Sequence, residues 1–505
     1  MAEKPVIAAL LEYRATEHPD QDFLKWRDQR VTWGEFYDDI LRVARGLRDA
    51  GIEQGDRVAV MMPNRPEFLL AHFGAICAGA APVPVNTAQR GDTLAYLLKD
   101  CGARAIVIED SLLPQYAETG GALMEIVRGE QQGGSEAIVF DDLLSGKPEP
   151  VDAEGGTSFG VLYTSGTTGP PKGVVPMRTD IAPLLAMWDA MGVRAGETIY
   201  TCLPLFHGNP LAISVLGAIF LDAQLAIGDR FSAHRFWDEV RAFDAVEFNH
   251  VGAIIPILLK QPEQPDDADN PVRTVLSAGC PPDCWEPFQD RFGVRIVEQF
   301  SMVDSPAYLI NLDGRVGSMG KPAAGGEATI LGDDGTELPP GRVGELALRA
   351  SQGRTHYYLN QPQETEHAFR DGWFHTGDLA SRDDEGFFYY AGRKKESMRR
   401  RGENVSAWEV ENVVNRFPGV LESAAHGVPS ELGEDDIKVV VVPREGTTVD
   451  QRALLDFCST RMAKYAVPRY VEIRREIPKT PTQRPRYAEL KAEGLTERTW
   501  DAEAR

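Results

Sequence analysis

Thr164-Ser165-Gly166-Thr167-Thr168-Gly169-Pro170-Pro171-Lys172-Gly173 sets four hydroxyls, three glycines, two prolines and one lysine between two β-prone runs, Phe159 to Tyr163 and Val174-Val175. Glycine lets the backbone turn several N–H groups toward one point at little steric cost, and a concave row of donors attracts anions. The hydroxyls add donors and Lys172 adds a mobile positive charge. The composition reads as a loop that holds a polyphosphate. It is not a Walker A loop, because Pro171 precedes the lysine and Gly173 follows it. On these residues alone, an ordinary surface loop rich in Ser, Thr and Gly is the alternative.

Working outward, the 505 residues are enough for two to four domains with large cores. Hydrophobic content of 43% and charged content of 26% suit a globular protein in water. The net charge of −23, from 53 basic and 76 acidic residues, argues against a general nucleic-acid or anionic-membrane surface. The six cysteines are scattered, and no Cys or His pair near Cys280-Pro-Pro-Asp-Cys284 gives metal-ligand spacing. Reduced thiols in a cytoplasmic protein are the expectation. Glu3, Lys4, Glu12 and Arg14 interrupt any signal-peptide core, and the run Leu211 to Leu221 is too short to span a bilayer, so it is read as a buried helix.

Periodicity gives the architecture. Ile40, Val43, Ala44 and Leu47 follow Thr32-Trp33-Gly34-Glu35-Phe36 at helical spacing, with Gly51 as the stop. Val58 to Met62 reads as a strand buried on both faces. Helix 66–79, strand 81–85, helix 91–100 and strand 104–108 then alternate, and a second alternating set runs from 159 to about 300. This rhythm predicts a largely parallel sheet flanked by helices. Residues 315–392 hold short strands and turns such as Gly332-Asp333-Asp334-Gly335, a small β-rich unit. After Arg393 come helix 407–416, strands 420–428 and 437–442, helix 449–463 and strand 469–473. The expected fold is therefore α/β: a large N-terminal domain (1–394) of alternating βα subdomains plus the β-rich unit, then an α+β C-terminal domain (395–505).

Several other stretches can carry chemistry. His207, in Leu203-Pro204-Leu205-Phe206-His207-Gly208, stands beside a glycine at a strand end, where a lone histidine is more often structural. Ala278-Gly279 and Phe300 close apolar runs, and ligands of open α/β sheets gather beyond such strand ends. Tight packing is the competing reading. Asp378, after Gly377, is placed to accept both hydroxyls of a ribose or to make a plain Asx turn. Arg393 to Arg401 holds six cations in nine residues, either a solvated face or a contact for a phosphorylated ligand. Gly156-Thr157-Ser158-Phe159-Gly160 matches a nucleophile elbow, but a polar loop precedes it and a strand follows, which is the wrong context.

Taken in order, these segments resemble the adenylate-forming superfamily of acyl-CoA synthetases, aryl-CoA ligases and luciferases over residues 10–490. The wording from Arg399 to Glu411 is most similar to crotonobetaine/carnitine-CoA ligases. The resemblance implies that Thr164, Ser165, Gly166, Thr167, Thr168, Gly169 and Lys172 hold the triphosphate, and Asp378 with Arg393 the ribose. It implies further that Ala278, Gly279 and Phe300 flank adenine, that His207 gates the acyl carboxyl, and that Gly402 lies against the pantetheine of CoA. A carboxylate attacks ATP with Mg²⁺ to give acyl-AMP; the C-terminal domain then turns about a hinge at Lys395, and the CoA thiol displaces AMP.

Two departures stand out from that pattern. Where the family reads Tyr-Gly-x-Thr-Glu, this chain has Phe300-Ser301-Met302-Val303-Asp304. The hydroxyl that contacts the α-phosphate is absent at Val303, and the magnesium carboxylate, Asp304, is one methylene shorter. Where the family ends in Pro-Lys-Thr-Pro-Thr-Gly-Lys, this chain has Pro478 to Gln483-Arg484. Arginine is a planar fork where the family's adenylation lysine is a compact ammonium. The expectation is an acyl-CoA ligase whose adenylation step is impaired or lost, so that acyl-AMP made by a separate adenylating ligase is passed to CoA. The alternatives are a complete synthetase in which Arg484 or Lys479 substitutes, favoured by the intact phosphate loop, and a nucleotide-binding relative without catalysis. Small residues at Gly208, Gly252, Ala278 and Gly279 leave room for a bulky acyl group.

Overall fold

The computed structural model describes residues 6–121, 123–130, 136–150, 160–164, 171–177, 182–252, 254–400, 403–430, 435–480 and 484–503. By packing, the chain divides into two compact units: Met1–Val316 with Pro322–Glu327 and Arg349–Gly372, and Gly317–Lys321 with Ala328–Leu348 and Trp373–Arg505. Packing thus groups the small β-rich stretch with the C-terminal module.

In the first unit the βα alternation forms two sheets. One has the order Ala81–Pro84, Arg57–Met61, Ala105–Glu109, Met124–Arg128, Ile138–Val139, parallel throughout. The larger one runs Lys321–Pro322, Leu309–Asn311, Arg295–Phe300, Thr274–Ala278, Ala245–Val251, Thr198–Thr201, Gln224–Ile227, Asp22–Trp26, Gln29–Thr32. It is parallel from Arg295–Phe300 to Asp22–Trp26, and antiparallel between Arg295–Phe300 and Leu309–Asn311 and between Asp22–Trp26 and Gln29–Thr32. A small antiparallel sheet joins Leu162–Tyr163, Gly173–Pro176 and His356–Tyr358.

The helix Trp33–Asp49 shows how local sequence sets these layers. Thr32 accepts the Glu35 N–H at 3.2 Å and Glu35 accepts the Thr32 N–H at 3.0 Å, a reciprocal cap. Its Phe36, Ile40, Val43, Ala44 and Leu47 face inward, as their spacing predicts. Leu211 to Leu221 is buried helix, also as expected, but its first part, Pro210–Val215, is π-helical before Leu216–Leu221 turns α. No helix among the described residues is long and apolar enough to cross a membrane.

In the second unit, Gly344–Ala350, Trp373–Arg382 and Phe388–Arg393 form antiparallel pairs. A further sheet is ordered Val420–Pro429, Asp435–Pro443, Tyr470–Ile473, Thr499–Asp501, with helices Ala407–Val414 and Gln451–Ser459 contributing to its core. The helix expected at 449–463 is shorter because Asp450 caps it, accepting the Ala453 N–H at 2.8 Å, and the chain turns away after Ser459. The helix Tyr487–Glu493 and strand Thr499–Asp501 have no sequence signal of comparable strength. Tertiary contacts hold them: Arg469 grips both Asp501 oxygens at 3.0 Å.

The basic run is not simply a solvated face. Ser397–Arg400 is a strand paired with Glu403–Ser406. Arg400 is buried, 3.3 Å from Asp436, and donates to the carbonyl of Val467. Lys394 lies 3.1 Å from Asp333 and 3.4 Å from Glu345. A buried cation must find such partners, and these come from elements far away in sequence.

Candidate active site

Strands that run parallel in one sheet present their carboxyl ends on one edge, and the large sheet's strand ends carry Ala278, Gly279, Phe300, His207, Val303 and Asp304. Ala278 ends one strand and Phe300 its neighbour, while Gly279, His207, Val303 and Asp304 lie in the connections that follow strand ends. His207 and Val303 come from turns that meet: a Cβ built on Gly208 would stand 2.8 Å from Val303 Cγ2. Glycine at 208 therefore makes room for the valine. His207 packs on Phe206, with ring centroids 4.6 Å apart, and its Nε2 has no partner. Burial lowers the imidazole to about 4, so it is neutral at physiological pH.

The Ser277–Cys280 turn is fixed by a residue the sequence reading did not single out. Glu298, buried on the neighbouring strand, accepts the Gly279 N–H at 2.5 Å, the Cys280 N–H at 3.2 Å and the Ser277 hydroxyl. Ser277 Oγ lies 2.9 Å from His250 Nε2. Burial raises Glu298 to about 7, against the pull of those three donors. A lone acid inside the apolar strand Arg295–Phe300 was the available signal. Glu298→Ala leaves the buried donors of Ser277 and Cys280, and the exposed Gly279 N–H, without their acceptor, and unfolding should show a loss of about 1–3 kcal/mol.

At the loop rich in Ser, Thr and Gly, the flanking strands Leu162–Tyr163 and Gly173–Pro176 pair antiparallel. The Thr164 N–H donates to the Lys172 carbonyl at 2.9 Å, and the Lys172 N–H to Thr164 Oγ1 at 3.2 Å, so the loop is closed at its base. Ser165, Gly166, Thr167, Thr168 and Gly169 lie outside the described residues. Lys172 pairs with Glu364 and stands 4.8 Å from the centre of the Tyr358 ring. The Tyr358 hydroxyl donates to Asp304 Oδ2 at 2.6 Å. Tyr358 and Glu364, both missed in the sequence, arrive because His356–Tyr358 pairs with the strand that follows Lys172. No cluster of three or more His, Cys, Asp or Glu able to hold a metal occurs among the described residues. Asp304 as a single carboxylate still fits Mg²⁺, which commonly takes one or two carboxylates and completes its shell with phosphates and water.

In the second unit Asp378 and Arg393 are cross-strand partners, with Arg393 Nε 3.1 Å from Asp378 Oδ1. Asp378 is buried, and its N–H donates to Thr376 Oγ1 at 3.0 Å. The short turn Lys394–Glu396 follows, with Lys395 exposed. Before it, Gly392 has φ 110°, and a Cβ there would meet the Ser406 Cβ at 2.7 Å, so only glycine fits. Gly402 lies outside the described residues.

Backbone bonds set Arg484 beside Thr480: the Thr480 N–H donates to the Arg484 carbonyl at 2.7 Å, and the Arg486 N–H to Pro478 O at 2.8 Å. The Arg484 guanidinium lies 3.7 Å from Glu396 in the turn Lys394–Glu396. Lys479, just before Thr480, is held by Glu422 at 2.5 Å. The lysine that could stand in for Arg484 is thus committed to an ion pair.

The AMP-binding enzyme profile matches residues 11–358, and the AMP-binding enzyme C-terminal domain matches 409–484. The chain belongs to the AMP-binding enzyme family. The crotonobetaine/carnitine–CoA ligase of Proteus mirabilis is 31% identical over 474 residues, 89% of this chain and 91% of that protein. Among solved structures, ATP-bound MatB from Rhodopseudomonas palustris has a TM-score of 0.85 and 25% identity over 96% of this chain and 98% of its own. An anthranilate CoA ligase, AuaEII, with anthranoyl-AMP shares the fold (TM-score 0.86, 24% identity, 96% of each chain). The fold expected from the sequence, a large N-terminal α/β domain followed by a smaller C-terminal one, is the fold of these AMP-binding enzymes.

Proposed function

We propose that this AMP-binding enzyme is an acyl-CoA ligase working through acyl-AMP, and that it forms the thioester far better than the adenylate. The residues replaced at Val303, Asp304 and Arg484 carry the reading, because all three belong to the adenylation half-reaction. The commitment of Lys479 to Glu422 supports it further. In this reading acyl-AMP comes from a separate adenylating ligase and CoA is the second substrate.

Asp378 takes the ribose hydroxyls and Arg393 holds that carboxylate in place. Ala278, Gly279 and Phe300 wall the adenine, with the turn set by Glu298. Thr164 to Lys172 receives phosphate oxygens. Asp304 would hold Mg²⁺, which supplies charge neutralisation for the phosphates. Neutral His207 borders the acyl carbonyl. The CoA sulfur attacks that carbonyl, the bond to the phosphate oxygen breaks with its electron pair leaving on AMP, and the thiol proton passes to solvent. A hinge at Lys395 and a pantetheine contact at Gly402 complete the assignment. Comparing turnover of acyl-AMP plus CoA with that of free acid, ATP and CoA tests it; equal rates would overturn it. Equal rates would establish instead the complete two-step synthetase, which the retained Lys172 favours.

The ribose assignment has its own test. Asp378→Asn removes a carboxylate that accepts charge-assisted hydrogen bonds, each contributing about 1.5–3 kcal/mol. AMP affinity measured by calorimetry should fall about tenfold or more. An unchanged affinity would show that the carboxylate serves only Arg393.

A further inference from the structure

We propose that Glu364 is an internal counter-anion of Lys172 that competes with bound polyphosphate and so tilts the pocket toward a nucleotide monophosphate ester and away from ATP. The inference rests on reading Thr164 to Lys172 as the phosphate loop. Its observations are four side chains of one unit, connected in sequence: Glu364, Lys172, Tyr358 and Asp304.

Lys172 is the cation at the root of the loop, and its ammonium pairs with Glu364. The pair is held by the fold and is not a chance meeting of two surface side chains. Glu364 sits in the first turn of the helix Pro362–Ala368, where the unpaired N–H groups favour a carboxylate. Thr365, buried beside it, donates to Gln361 O at 2.9 Å and accepts the Tyr358 N–H at 2.9 Å. That locks the helix start to the strand His356–Tyr358, which is itself paired with Gly173–Pro176 directly after Lys172. The next acid of the helix, Glu366, is engaged by Arg354 at 2.8 Å. The Tyr358 ring lies against the Lys172 ammonium while its hydroxyl holds Asp304. Both charged ends of a polyphosphate site, the lysine and the carboxylate for Mg²⁺, are therefore engaged through one strand and one helix.

An ammonium has three donors but one charge to neutralise. A β- or γ-phosphate that recruits Lys172 must take it from Glu364 and also approach that carboxylate. An acyl-AMP carries one phosphate, singly charged, and makes no such demand. Glu364 is thus a positioning residue acting through Lys172, and it penalises the substrate of the first half-reaction selectively.

The test is binding, so it does not depend on turnover. Calorimetry on the whole protein with Mg²⁺ gives affinities for ATP, inorganic pyrophosphate and AMP, in the natural sequence and in Glu364→Gln and Glu364→Asp. Glu364 is half exposed, and exposed pairs of this kind are modest, so Glu364→Gln should tighten ATP and pyrophosphate about two- to fivefold and leave AMP unchanged. Glu364→Asp, which keeps the charge one methylene further back, should fall between. The gain should shrink at high salt. ATP and AMP moving together, or ATP weakening, would overturn the proposal. Absence of binding by all three probes in the natural sequence would overturn both this proposal and the nucleotide-site reading. Efficient turnover of free acid with ATP would overturn only the proposed function, since the ATP-to-AMP affinity ratio of the variants still decides the part played by Glu364.

Discussion

Supplied with a synthetic acyl-AMP and CoA, the protein should form thioester about 100-fold faster, or more, than when supplied with the matching free acid, ATP and CoA. The magnitude comes from electrostatics. Adenylation moves charge onto the α-phosphate and the attacking carboxylate, and a donor aimed at that charge in a pocket with little water typically contributes 10²–10³ in rate. In the family that donor is a compact lysine ammonium, which the resemblance places at Arg484. Arginine keeps the charge, but its fork spreads it over a plane and needs more space. In the structure the guanidinium lies 3.7 Å from Glu396, which offers it a counter-ion in the turn Lys394–Glu396. Val303 adds to the loss, because a methyl stands where a hydroxyl would donate, and its Cγ2 packs toward Gly208.

Arg484→Lys, alone or with Gln483→Gly, should raise the rate of pyrophosphate release from free acid and ATP while leaving the acyl-AMP reaction near its starting rate. A gain in both reactions would mean that Arg484 serves the thioester step. No gain in either would move the defect to Val303 and Asp304, and Val303→Thr with Asp304→Glu would be the pair to try next.

The sequence was most informative where one element's pattern decides its own fate. The parallel βα order, the helix cap at Thr32 and the buried helix after Pro210 are set by local spacing, capping and apolar runs. What could not be read was partnership across long separations. Nothing near Lys172 announces Glu364 or Tyr358, which reach it through a strand pairing nearly two hundred residues later, as their numbers show. Glu298 looked like a strand residue, and its work depends on two backbone N–H groups of the neighbouring strand's turn. The basic run was half legible: Lys394 and Lys395 are exposed, as a solvated face would be, whereas buried Arg400 depends on Asp436, which lies on another element.

The largest stability effect is expected in the second unit, at the pair Lys438–Glu472. Both side chains are fully buried and 2.7 Å apart, on the adjacent parallel strands Asp435–Pro443 and Tyr470–Ile473. Their surroundings are unequal. Glu472 also accepts Arg474 Nε at 2.7 Å and the hydroxyls of Thr496 and Thr499 at 2.8 and 3.1 Å. Lys438 has besides Glu472 the carbonyl of Gly494, at 2.6 Å. Glu472→Gln therefore leaves a buried ammonium short of its counter-charge, and should cost about 3–5 kcal/mol. Lys438→Met leaves a carboxylate still served by Arg474 and two hydroxyls, and should cost less, about 1–3 kcal/mol. Hydrogen exchange of the two strands' amides measures both losses locally. The pH dependence is a second check. Burial works to raise Glu472, but the hydrogen bonds from Arg474, Lys438 and Thr496 outweigh it and hold the carboxyl at about 2, below its ordinary 4.5. A depressed carboxyl contributes stability that is fully present above pH 4.5 and is lost as pH falls toward 2. The natural sequence should lose about 3 kcal/mol of protection across that window through this group alone. Glu472→Gln should show no such step at these strands, and an unchanged acid step would place the titrating group elsewhere.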